Sequence, residues 1–122
     1  RILHLDLSTS GFDRYQPDGA NNLQVLSSPT HAEYLEGIDE FLELIPDDAG
    51  LVIYNAGMDP HPTISADCLA EREHRAATWC AEHGVPVAFV LAGGYTSSIS
   101  MKELVDLHLH TIRAFGAPVC VA

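Results

Sequence analysis

The stretch LVIYNAGMDPH, residues 51 to 61, decides how this chain is read. Residues 51–55 are a short, apolar, β-branched run, the pattern of a strand expected to be covered on both faces. The run leads to Asp59, which stands after Gly57-Met58 and before a turn stiffened by Pro60 and Pro62. A second apolar run, VPVAFVLA at 85–92, stops in a similar way at GGYT. Between the two, Ser65 is placed to cap a helix from about Ala66 to His83, with Leu69, Arg72, Ala76 and Trp79 near one face and Gly84 as its left-handed stop. Strand, helix, strand in this order calls for a right-handed crossover and parallel pairing.

Working outward, ILHLDL at 2–7 alternates apolar and polar side chains at period two, and the turn-rich segment after it reads as a long loop over 8–29. Thr30 with Glu33 forms a capping box at the head of a helix striped by Leu35, Ile38, Leu42 and Ile45 and ended by Pro46. Ser100 with Glu103 repeats the capping box ahead of a last helix, whose inward face is expected at Leu104, Val105, His108 and Ile112. APVCVA, at the end, is a candidate for one more strand. The fold class expected is α/β: a parallel sheet with helices on both faces, a three-layer sandwich, in one domain over 1–122 with no internal boundary. Such sheets bind ligands outside the carboxyl ends of their strands, so the loops 8–29, 56–65 and 93–99 share one rim and bring Asp59 and Tyr95 together.

Composition narrows the partners. Seventeen acids against six Lys and Arg give a formal charge of -11, which repels phosphate backbones and anionic bilayers. Neither nucleic acid nor membrane is expected as a partner. The longest apolar run, 85–92, falls well short of the roughly 20 residues that span a bilayer. Cys68, Cys80 and Cys120 are widely spaced and odd in number, which suggests neither a disulfide framework nor a thiolate zinc knuckle, so a cytoplasmic setting is expected.

On the rim, each residue has a plain and a chemical reading. An aspartate after a strand caps turns through its side chain, and it also serves as a metal ligand or general base when prolines stiffen its backbone. Gly93 and Gly94 either punctuate a strand or let a ligand approach the backbone closely. Neither nucleotide-binding glycine motif is present, which argues against a nucleotide-binding α/β domain. Tyr95 is either a rim aromatic or a phenol that donates to a developing oxyanion. His61, two residues after Asp59, is either a turn residue or a partner behind the metal ligand. The remaining histidines have poor spacing for a shared site, and His4 beside Asp6 reads as structural.

Together, LVIYNAGMDPH, LAEREHRAATWCAEHGVPVAFVLAGGYT and LVDLHLHTI resemble the C-terminal part of the histone deacetylase and acetylpolyamine amidohydrolase family, over about residues 48–115. HLDLSTSGFDRY also looks like the strand and loop that precede this region in bacterial members. The resemblance implies an open α/β sheet of the arginase and deacetylase type and a zinc cofactor held by two aspartates and one histidine. It implies that Asp59 is the later aspartate ligand, that Tyr95 polarises the acetyl carbonyl, and that Gly93 and Gly94 shape the loop presenting Tyr95. The implied reaction is attack of a metal-activated water on an amide carbon, with the ion as Lewis acid. Acetyl-lysine, acetylpolyamines and similar small acylated amines are the implied substrates.

The family's earlier aspartate-histidine ligand motif and its paired histidines have no match here; they normally lie upstream of Arg1. Ile64 stands where an acid often follows the metal aspartate by five residues. The expectation is therefore the C-terminal portion of a deacetylase-like hydrolase, inactive as this chain alone, with a missing N-terminal segment completing the site. The other reading is a small α/β binding or assembly domain without catalysis, whose unpaired sheet edges favour homo-oligomers.

Overall fold

The computed structural model describes residues 1–12 and 14–116. The expected strand over APVCVA, and Cys120 within it, lie outside the described residues. The chain is α/β, with strands β1 (His4–Ser8), β2 (Asn21–Val25), β3 (Val52–Gly57) and β4 (Val87–Ala92), and helices α1 (His31–Glu43), α2 (Ala66–Glu82) and α3 (Met101–Gly116). β1 pairs with β2 and β3 with β4, both parallel.

The helix starts follow from local chemistry. At α1 the Thr30 hydroxyl accepts from the Glu33 amide at 3.2 Å, and the Glu33 carboxylate accepts from the Thr30 amide at 2.7 Å. Ser100 and Glu103 make the same reciprocal pair before α3, and the Ser65 hydroxyl accepts from the Cys68 amide at the head of α2. Gly84, with φ +65, ends α2.

Hydrogen bonds from the backbone hold the carboxyls of Glu33 and Glu103 below the ordinary glutamate range. A carboxyl with a lowered folded pKa stabilises the fold above its unfolded value, about 4.3, and loses that contribution as pH falls through the lower folded value. Urea midpoints are thus expected to decline on acidification below about pH 4.3, and less steeply in the Glu33→Gln, Glu103→Gln double variant, whose amides still cap but do not titrate. Equal slopes in both proteins would contradict the assignment.

Four sequence expectations are corrected. First, the segment 8–29 is not one loop, because β2 lies within it. Asp18 accepts from the Ala20 amide, the Asn21 amide and the Asn21 side chain, which turns the chain into β2. Pairing with β1 overrides the weak strand character of NNLQV. Second, the described strands form two separate two-stranded pairs, not one parallel sheet.

Third, coverage is one-sided at β3 and β4. Val52 and Val87 pack toward Trp79 of α2, and Tyr54 and Phe89 toward Phe115 of α3. On the other face Ile53 is 71% exposed and Val90 52%. The inward face of α3 is also rotated from the expected one: Leu107 and Thr111 are buried, while Val105 and Ile112 are exposed.

One core joins the elements beneath the strand ends. Tyr34, Met58, Ile64, Cys68, Leu69 and Leu107 form it, with Leu7 of β1, Leu35 and Ile38 of α1, and Ile99 packed around them. Ile64 is fully buried there, which gives its departure from an acid a physical reason: the position plugs the core. Among the described residues no helix is long and apolar enough to cross a membrane.

Candidate functional site

The site is built where β3 and β4 end side by side. Gly57 pairs with Ala92 as the last step of the ladder, and the Met58 amide donates to the Ala92 carbonyl at 3.0 Å. Asp59 and Gly93 therefore emerge as neighbours. Asp59 Oδ1 accepts the Gly94 amide at 2.8 Å, so the two strand ends meet on one rim. This bond fixes one carboxylate oxygen and leaves Oδ2 without a hydrogen bond among the described residues. The carboxylate is solvent-exposed.

The double glycine is required by this contact. Gly93 has φ +63 and Gly94 φ +79, a backbone region that costs an ordinary residue about 1–2 kcal/mol. Space is short as well: a Cβ at Gly93 would collide with Asp59 Oδ1, and one at Gly94 would come within 2.5 Å of Leu104 Cδ1 and 3.1 Å of Met58 Cβ. Gly93→Ala is expected to cost about 1–2 kcal/mol from backbone strain alone and to displace the Asp59 carboxylate. Urea denaturation reads the first effect and the Gly94 amide proton shift the second; an unmoved Gly94 amide would count against the geometry.

Tyr95 follows directly, 68% exposed, with no hydrogen bond to its hydroxyl among the described residues. The strand-end placement therefore brings Asp59, Gly93 and Gly94 into contact and sets Tyr95 next to them in the chain. His61 points elsewhere: its Nδ1 is 3.1 Å from the Ile64 carbonyl. Because a carbonyl only accepts, Nδ1 carries the proton, which is the turn role. Nε2 makes no hydrogen bond among the described residues. His31, which the sequence did not single out, accepts the Ser65 amide through Nε2 at 3.3 Å.

Phe12 is 89% exposed, and Tyr15 stacks on His4 and donates to the Asn22 carbonyl at 3.3 Å, so Tyr15 braces β1 and β2. Cys68 and Cys80 are buried free thiols, and burial raises both above the ordinary thiol range, Arg72 and Arg75 opposing the shift at Cys68. Both stay protonated near neutral pH. Two surface clefts lie away from the rim, one between β2 and the start of α1, the other between α1 and α2. Neither is lined by Asp59, Gly93, Gly94 or Tyr95.

Beneath the rim lies a buried polar network that sequence reading did not identify as part of the site. Arg72 Nη1 donates to the Gly57 carbonyl at 2.7 Å and to the Tyr34 hydroxyl at 3.1 Å. Its Nη2 donates to Glu73 Oε1 at 2.6 Å, which also accepts from Thr111 Oγ1 at 3.0 Å. Burial pulls the Arg72 guanidinium down, but the fields of Tyr54, Tyr34 and Glu73 outweigh it, and the net shift is upward. The available signal was an arginine on the apolar stripe of a helix: a charge so placed must find a partner.

No family model, curated protein or solved structure matches this chain.

Proposed function

We propose that this chain is the C-terminal part of a zinc-dependent amidohydrolase of the histone deacetylase and acetylpolyamine amidohydrolase type, built on the three-layer arginase and deacetylase fold and acting on acetyl-lysine or acetylpolyamine-like amines. The carrying observation is the Asp59 carboxylate, oriented by the Gly94 amide at 2.8 Å with its second oxygen free. Zinc does not fit the described residues alone. Among the described residues no three His, Cys, Asp or Glu side chains stand together to hold a metal, whereas a catalytic zinc takes about three protein ligands. Asp59 supplies one, and the others belong to residues beyond these. The role of Tyr95 is to donate its phenolic proton as a hydrogen bond to the substrate's carbonyl oxygen, as charge builds there. Gly93 and Gly94 hold the backbone in the left-handed turn that delivers the phenol to the rim.

The test joins these residues to a segment carrying the aspartate-histidine ligand motif, and measures acetate release from acetyl-lysine peptide and acetylpolyamine. Release that stops with chelator and in Asp59→Asn is the expected result. No release from any acylamide by a zinc-loaded protein would overturn the proposal. For the 122 residues alone, calorimetry is expected to show no site-specific zinc binding; tight binding that survives Asp59→Asn would remove Asp59 from the ligand set.

A second reading, an assembly domain without catalysis, is favoured by the exposed apolar face at Ile53 and Val90. It requires self-association in sedimentation that Ile53→Asp abolishes.

A further inference from the structure

The network under the rim is poorly suited to a purely stabilising role. Arg72 and Glu73 are buried, yet Arg72 Nε, Glu73 Oε2 and the Tyr54 hydroxyl, buried too, find no hydrogen-bond partner among the described residues. Orphaned buried polar atoms cost stability, and a buried ion pair is often replaced by apolar side chains without loss. What an apolar replacement cannot do is grip a carbonyl. Arg72 grips Gly57 O at 2.7 Å and reaches Met58 Sδ at 3.9 Å, the two residues that immediately precede Asp59. Met58 in turn lies under Gly94, as does Leu104 of α3, and α3 is tied to the network through Thr111 and Glu73. Both halves of the site, the β3 exit and the β4 exit, are therefore anchored on one guanidinium-carboxylate pair.

We propose that Arg72 is the positioning residue of this site: its buried guanidinium, holding Gly57 and Met58, sets where the Asp59 carboxylate stands against the Gly94 amide. That Asp59 is a metal ligand rests on the function proposed above; that Arg72 places it does not, and the two ideas fail separately.

The test is spectroscopic and needs no metal. The amide proton of Gly94 is expected downfield in the wild-type chain because it is bonded to a carboxylate, and Asp59→Ala, which leaves the amide without that acceptor, calibrates the loss of that signature. Arg72→Lys keeps the charge but gives up the planar fork that reaches Glu73 and Gly57 together. It is expected to move the Gly94 amide most of the way to the Asp59→Ala position and to speed its hydrogen exchange roughly tenfold. Glu73→Gln disturbs the same buried pair but leaves the Arg72 to Gly57 bond, and is expected to leave Gly94 near its wild-type position.

Equal displacement of Gly94 by both variants would reduce Arg72 to a merely structural role and overturn the proposal, as would a folded Arg72→Lys with an unchanged Gly94. Should Arg72→Lys not fold, the wild-type chain decides: nuclear Overhauser contacts from the guanidinium protons to Met58, with slowly exchanging Nη protons, are expected. Their absence overturns the assignment.

Discussion

Arg72→Met is expected to destabilise the fold by about 3–5 kcal/mol, the cost of removing one partner from a buried ion pair. The cause is what remains. Glu73, fully buried, would be left with only the Thr111 hydroxyl at 3.0 Å as a partner. The Gly57 carbonyl would lose its bond to Arg72, and the Tyr34 hydroxyl would lose its donor. A small domain has about 5–15 kcal/mol in all, so this single change consumes much of it. Urea denaturation measures the loss.

The double variant Arg72→Met, Glu73→Leu is expected to recover a large share of it, because no uncompensated charge is then left inside. A single-variant loss below about 1 kcal/mol would mean that the pair is solvated, in conflict with its burial. Recovered stability in the double variant without a recovered Gly94 amide position would separate the two roles of the network, cohesion and placement.

In the hydrolase proposed above, Asp59→Asn and Tyr95→Phe are expected to affect catalysis in different ways. Asn keeps the size of Asp59 and an oxygen for the Gly94 amide, but it loses the anionic oxygen that stands free. Loss of a ligand is expected to exceed the 10–100-fold losses seen when a group behind a ligand is changed. Both metal content and acetate release then fall together. Tyr95→Phe removes only a hydrogen-bond donor, so metal content stays while kcat drops by about 100–1000-fold, the usual cost of losing an oxyanion donor. KM is expected to change little, since such a bond strengthens in the transition state. A Tyr95→Phe enzyme with full kcat would remove Tyr95 from the chemistry and leave it a rim aromatic.

Much of the fold was legible because its signals are local. Capping boxes at Thr30 and Ser100, the cap at Ser65 and the stop at Gly84 each depend on a few adjacent residues, and each helix starts where they place it. That Asp59 and the 93–99 loop share an edge was legible for a similar reason: parallel strands must end on the same edge; the contact of Asp59 with the double glycine was not. The face of α3 was not. Leu104, Leu107 and Thr111 make one helical stripe, and Val105, His108 and Ile112 make another of equal spacing. What chooses between them is Glu73, a residue of α2 that accepts from Thr111. β2 escaped because NNLQV has little strand character, and its pairing with β1 spans a loop of turn formers.

The sequence by itself determined the order of elements from α1 to α3, the helix caps, the parallel sense of β3 and β4, and the common edge at which Asp59 and the 93–99 loop emerge, since these follow from short-range hydrogen bonding and from strand direction. Only the tertiary structure decided that Arg72 lies beneath the site, that Ile64 plugs the core, and that one face of β3 and β4 is left open. Those outcomes depend on which buried groups meet across elements distant in the chain, where partners for a charge and space for a side chain are set by packing and not by neighbours in sequence.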